Sequence, residues 1–443
     1  MKNFRINALP LISSVLFLIF FLGSCSVTGP SGIFGKKSPH EQYGQKLADA
    51  GLKQTVLGKL WLQQAEESLE KPLLVTIPYK EAGYFPAEKP RAVSLKFETK
   101  RGERISVSLL KKPSTNFTVY VDLWEVKNNQ NKKLVAYADT NAAPFSYDIE
   151  DEGTYLLRLQ PELLVSGEYT LTIASGPSLA FPVEKGNIGS FWGDDRDGGN
   201  RRHEGIDIFA KKRTPALAAA DGVVSRVEEN RLGGKVVFLR PENKNFNLYY
   251  AHLDEQLVKD GQRVKLGDTI GLVGNTGNAI HTAPHLHFGI YTFGGAIDPV
   301  NFVRPVDKKP SPVTVPVSNI GKSLRTNAAK TAFRESPGTS KGQLFDQLSK
   351  NTLVQVLAAS AGWYKVGLPD GREGFISGTS LTPLSEPLRR MKIEKEVALL
   401  DNPKAEAPRK ILLSTGATVN VLGKFNDFYF ISSENNHGWI SVD

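Results

Sequence analysis

The chain has 443 residues, 40% hydrophobic and 23% charged, the composition of a soluble globular protein of about three to five units. Its single cysteine rules out an internal disulfide and a cysteine zinc cluster. The formal charge of +9 is spread thinly, with no basic block interleaved with aromatics, so nucleic acid is excluded as a partner and a diffuse polyanion such as cell wall or lipid head groups suits it better.

At the N-terminus, Lys2 and Arg5 precede an apolar run from Leu9 to Leu22. That run is shorter than the roughly 20 residues of a spanning helix and has the layout of a cleaved secretory signal. Leu22-Gly-Ser-Cys25 resembles the lipobox of bacterial lipoproteins. The resemblance implies a signal peptide over 1–24, cleavage before Cys25 and lipid on its thiol. Ser26, rather than Asp, then implies an anchor in the outer membrane with the chain facing the periplasm. Losing Lys2 and Arg5 leaves a charge of +7, and export also argues against nucleic acid.

Residues 25–39, rich in Gly, Ser, Pro and Lys, read as a tether. Over 40–71, Leu47, Leu52, Val56, Leu60 and Leu62 recur at helical spacing until Pro72 stops the segment, and Gly51 is expected to split it in two. Period-two alternation takes over in 72–182, as in Val93-Ser-Leu-Lys-Phe97 and Tyr169-Thr-Leu-Thr-Ile173. This predicts an antiparallel β-sandwich with a positioning role, since no polar constellation converges there. Residues 183–305 are again Gly-rich and of β type, and 306–320 read as a Pro-rich linker.

Beyond the linker the chain repeats itself. Thr352-Leu-Val-Gln-Val356, Trp363-Tyr-Lys-Val366 and Gly374-Phe-Ile-Ser377 return as Ala417-Thr-Val-Asn-Val421, Phe428-Tyr-Phe-Ile431 and Gly438-Trp-Ile-Ser441, at an offset of 64 or 65 residues. Each copy resembles the bacterial SH3-like module, which implies two small barrels over 321–386 and 387–443 that hold wall peptides. Trp363 and Trp439 fit barrel-core aromatics at least as well as peptide contacts. The fold class expected is therefore mainly β and multidomain, with a short N-terminal helical segment.

Five of the seven histidines fall between His203 and His287. They read His203-Glu-Gly-Ile-Asp207, Tyr249-Tyr-Ala-His252-Leu and His281-Thr-Ala-Pro-His285-Leu-His287. Imidazole and carboxylate are the usual ligands of zinc in such a setting. The fifth position of His-Glu-x-x-x is Asp, and Gly205 disfavours the helix of a His-Glu-x-x-His site. Ile206-Asp-Ile-Phe209 alternates like a strand, on which residues i and i+4 share a face, so His203 and Asp207 can bind one ion and Glu204 points away. One of His285 and His287 completes a three-ligand shell with an open position for water. The other, and His252, are placed to move protons or steady an oxyanion. His281 reads as a loop residue, and His40 and His437 as ordinary residues outside the cluster.

These motifs, with Gly267-Asp-Thr-Ile-Gly-Leu-Val-Gly-Asn-Thr-Gly277 and Asp298-Pro-Val-Asn301, closely resemble the lysostaphin/LytM-type zinc metallopeptidases. The resemblance implies an antiparallel β-sheet groove, Zn2+ held by His203, Asp207 and His287, and His252 and His285 as catalytic histidines. It implies hydrolysis of peptide cross-links or stem peptides of peptidoglycan in the cell envelope, alongside other cell-wall enzymes. The alternative is a non-catalytic regulator of a separate wall amidase; such relatives typically lose zinc ligands, and all three positions are kept here.

Overall fold

Alternation of apolar and polar residues governs most of this chain, and the computed structural model resolves it into sheets that are antiparallel but for the short strand Leu73–Leu74. Residues 37–127, 131–306, 308–338 and 344–442 are described, so the signal segment and Cys25 lie outside the described residues. No helix among the described residues is long and apolar enough to cross a membrane.

Two helices come first. Helix α1 (Pro39–Asp49) opens on a capping box: Ser38 Oγ accepts from the Glu41 N–H at 3.2 Å, and Glu41 accepts from the Ser38 N–H at 2.7 Å. Gly51 then takes φ of 71°, a left-handed conformation open to glycine, and Thr55 caps helix α2 (Val56–Glu70). The helices cover one face of a five-stranded sheet, where Trp61 is buried and its indole N–H donates to the Pro161 carbonyl at 2.8 Å. His40 stacks on Trp61 at 4.6 Å and donates from Nε2 to Gln160 Oε1 at 2.6 Å, while Arg158 donates to its Nδ1 at 3.0 Å. Burial, and then the charge of Arg158, push His40 down to about 3, so the ring is neutral and structural.

That sheet runs Leu73–Leu74, Val93–Thr99, Gly153–Pro161, Val119–Val126, Lys132–Tyr137. Its inner face packs Phe97, Leu123 and Leu157 against Val107, Leu171 and Ile173 of a second sheet, making the sandwich core. The second sheet does not stop at the sandwich. Strand Tyr79–Phe85 pairs with strand Leu353–Ser360 of the first small barrel, Ala82 opposite Ala359. Buried Glu81 accepts from the Tyr79 and Tyr169 hydroxyls at 2.8 Å each and lies 3.9 Å from the buried Lys365 ammonium. Phe375 of the barrel joins the sandwich core, and Trp363 packs against it rather than inside its own barrel. The second barrel forms a six-stranded sheet whose Leu400, Phe425 and Trp439 pack into the core of the first.

The histidine-bearing segment forms an antiparallel sheet with strands in the order Asn187–Ser190, Ile206–Phe209, His285–Thr292, Phe246–Gln256, Gly234–Pro241, Gly222–Asn230, Arg263–Val264. Pairing places Asp207 opposite His287 and His287 opposite Ala251. Side chains therefore sort by parity: Ile206, Ile208, Leu248, Tyr250, Leu286, Phe288 and Ile290 enter the core, fully buried. Asp207, Phe209, Tyr249, Ala251, His285, His287 and Tyr291 stand on the other face and line a cleft of about 410 Å³. Each large core side chain contributes about 1.5–3 kcal/mol through burial, so a one-residue slip that exchanged the faces is strongly disfavoured.

Candidate metal centre

Three donor atoms converge on that open face. His203 Nε2 lies 2.9 Å from His287 Nδ1 and 3.0 Å from Asp207 Oδ1, and His287 Nδ1 lies 3.0 Å from the same oxygen. A tetrahedral ion with bonds of about 2.0–2.1 Å spaces its ligand atoms about 3.3 Å apart, so this triangle fits a zinc-sized cation. Among the described residues this is the group of His, Cys, Asp and Glu side chains that could hold a metal ion. The donor set of two imidazoles and one carboxylate suits zinc and leaves a fourth position facing the cleft.

Each ring is oriented by the nitrogen it turns away from the cleft. His203 Nδ1–H donates to the Phe191 carbonyl at 2.8 Å, which leaves its Nε2 lone pair aimed at the triangle. His252 Nδ1–H donates to the Thr276 carbonyl at 2.9 Å, and His285 Nδ1–H to the Ala283 carbonyl at 2.8 Å. Both then present Nε2 beside the triangle; His285 Nε2 lies 3.9 Å from Asp207 Oδ1, and the two rings are 5.0 Å apart. Burial, then the neighbouring His287 and His285, bring His252 down to about 4. Burial also lowers His287. Burial would raise the Asp207 carboxyl, but its close contacts with His203 and His287 outweigh that and hold the group well below the usual carboxylate range.

Strand parity alone does not account for two members. His252 follows the core residue Tyr250 by two positions and would share its buried face. Its backbone instead takes φ of 61°, in a strand whose pairing shifts register on either side, and this turns the ring into the cleft. A left-handed non-glycine residue costs on the order of 1–3 kcal/mol and marks a position the fold over-determines. His203, for its part, lies outside strand Ile206–Phe209, in the link from the hairpin Asp195–Arg202. The expected sharing of one strand face by His203 and Asp207 is corrected: the chain bends at Gly205. A Cβ there would sit 2.6 Å from the Phe288 carbonyl oxygen and 2.8 Å from the His287 ring, so only glycine admits that approach.

Other expectations need adjusting as well. Glu204 does not point away from the cleft but lines it, 3.5 Å from the Tyr291 hydroxyl. His281 is exposed in its loop and His437 is exposed on the second barrel. Arg196 was not singled out in the sequence, yet it reaches Asp207 Oδ2 at 2.9 Å. No strand periodicity or motif spacing marks it. Tyr291 was legible by extending the His285, His287 parity by two more steps. Among the described residues, every one lining the cleft lies between Arg196 and Tyr291, and none comes from the helices, the sandwich or the barrels.

Comparison with known proteins agrees with this reading of the sheet. Residues 201–299 match the family described as Peptidase family M23, and residues 329–382 match the bacterial SH3 domain. The chain is 38% identical over 136 residues to the peptidoglycan DD-endopeptidase ShyC of Vibrio cholerae, which covers 30% of this chain and 28% of that protein. It is 39% identical over 127 residues to the L-Ala–D-Glu endopeptidase of Bacillus subtilis, covering 26% and 39% respectively. The catalytic domain of lysostaphin from Staphylococcus simulans matches at 32% identity and a TM-score of 0.25, covering 27% of this chain and 92% of that one. The chain thus spans well under half the length of the two relatives. It carries an M23-type peptidase domain together with a bacterial SH3 domain.

Proposed function

We propose that this chain is a zinc-dependent peptidoglycan endopeptidase. The observation that carries the proposal is the triangle of His203 Nε2, Asp207 Oδ1 and His287 Nδ1, with sides of 2.9–3.0 Å, at the floor of an open cleft. Zinc held by these three residues would supply Lewis acidity, acidifying a bound water and polarising the scissile carbonyl. Around it, His252 and His285 turn Nε2 into the cleft, placed to accept the water's proton and to hydrogen-bond the carbonyl oxygen as it gains charge. Hydrolysis adds hydroxide to the carbonyl carbon and returns the proton to the leaving amine. Tyr249 and Tyr291, packed edge to face at 5.7 Å, line the cleft with aromatic surface beside the triangle. M23 relatives named as endopeptidases for different peptidoglycan bonds support the substrate class and leave the bond itself open.

The test is release of soluble fragments from purified sacculi by the full chain. Activity is expected with zinc, is expected to disappear with a chelator, and is expected to be absent in His287→Ala. If wild type and His287→Ala both leave sacculi intact while both stimulate a separate wall amidase, the regulator reading holds instead.

The lipobox-like Leu22-Gly-Ser-Cys25 supports a lipid anchor in the cell envelope, with the cleft facing the periplasm from the outer membrane. Labelled palmitate is expected to enter the wild-type chain and the outer-membrane fraction, and not Cys25→Ser. Labelling of that variant would exclude Cys25 as the acceptor.

A further inference from the structure

Asp207 presents its two oxygens to different partners. Oδ1 faces His203 Nε2 and His287 Nδ1, each at 3.0 Å. Oδ2 is turned away from them and accepts from Arg196 Nη2 at 2.9 Å. The same Nη2 donates to Ser190 Oγ at 2.5 Å, and Nη1 donates to the Asp195 carbonyl at 3.2 Å. Ser190 is itself tied to Asp194 Oδ2 at 2.9 Å, and the hairpin that carries Arg196 pairs Asp195 with Arg202 and Arg196 with Arg201. The guanidinium is therefore anchored on three sides, and its side chain is 28% exposed at the edge of the cleft.

This arrangement has a consequence for coordination. A carboxylate offers a metal either one oxygen or both, and a free Asp beside a zinc ion can close a coordination position by chelating. An N–H donor locked on one oxygen competes for its lone pairs and fixes the carboxylate plane, which disfavours chelation. Outer-shell hydrogen bonds of this kind set the orientation of metal ligands. We propose that Arg196 is a positioning residue that holds Asp207 to ligation through Oδ1 alone, and so keeps one metal position open for water and substrate. The proposal rests on the metal-site reading above, but not on the identity of the bond cleaved.

The experiment uses the full chain loaded with cobalt(II), whose visible absorption is intense when four-coordinate and falls to intermediate strength when five-coordinate. Wild type is expected to bind one cobalt with intense bands, and Arg202→Ala, a change in the same hairpin at a side chain 71% exposed, is expected to match it. Arg196→Ala is expected to bind cobalt with bands that fall severalfold in intensity. Arg196→Lys, which keeps one cationic N–H donor, is expected to recover part of the loss. Bands unchanged in Arg196→Ala, with or without tighter metal binding, would overturn the proposal while leaving the metal site intact. Failure of wild type to bind cobalt would overturn both, and equal loss in Arg202→Ala would reduce Arg196 to a general support of the hairpin.

Discussion

His252 shows how a single residue carries more than its place in a strand. Parity puts it with Tyr250 in the core, and a φ of 61° lifts it into the cleft, where Nδ1–H is tied to Thr276 and Nε2 is left free to work. Because it stands outside the donor triangle, His252→Ala is expected to lower peptide hydrolysis by about 10²–10⁴-fold while zinc content stays at one per chain. Paired rate and metal measurements check this, and a parallel loss of metal would make His252 a ligand instead. His40 offers a residue-scale prediction of another kind. Its folded value of about 3 lies below the ordinary 6.5, because burial and Arg158 disfavour the imidazolium. Between those two values the unfolded chain binds the extra proton, so this contribution to stability is complete above about pH 6.5 and is lost as pH falls towards 3. Protection of the α1 and α2 amides, taken relative to their intrinsic exchange rates, is expected to fall between pH 7 and 4.5, and to lose most of that pH dependence in His40→Gln. At this scale the sequence was informative about residue types and poor about direction. His203, Asp207, His285 and His287 were legible because ligand chemistry is restricted to few side chains. Arg196 was not, because an arginine eleven residues from Asp207 looks like any surface cation until the hairpin folds it back.

Strand His285–Thr292 is the element that ties core to cleft. Leu286, Phe288 and Ile290 are fully buried, and His285, His287 and Tyr291 stand opposite them. The same backbone thus fixes the register of the sheet and the position of two histidines. Phe288→Ala removes a side chain packed against Tyr250 at 5.2 Å and is expected to destabilise this unit by about 3–5 kcal/mol. Since His287 is the adjacent residue, zinc affinity is expected to weaken with it, whereas an equally costly change in the sandwich core leaves affinity untouched. Thermal unfolding with chelator competition on the same samples reads both, and undiminished affinity in a destabilised Phe288→Ala would show that the site is held independently of this strand. Alternation made such strands legible, because burial of one face is a local property of the sequence. The bend at Gly205 and the bulged strand around His252 were not, because each answers to a neighbour distant in sequence, Phe288 and Gly233 respectively.

On the scale of the whole molecule, the units are joined rather than strung out. The first barrel continues a sheet of the sandwich through Ala82 and Ala359, with Glu81 and Lys365 buried at the seam. Edge pairing of this kind has no composition signal, since any strand edge offers the same N–H and C=O groups. The stretch read as a linker also packs: Val313 and Val315 lie against the barrel core, and the Thr314 N–H donates to Ala361 at 2.9 Å. Among the described residues the cleft is lined from within its own sheet. The central property of the intact chain is what it does to a cell-wall polymer. Mass spectrometry of sacculi digested by the zinc-loaded chain measures this most directly. The predicted result is fragments with intact glycan and newly freed peptide amines and carboxyls, one water added per cut, all absent with His287→Ala. Sacculi whose peptides are unchanged by wild type, or cut equally by wild type and His287→Ala, would contradict it.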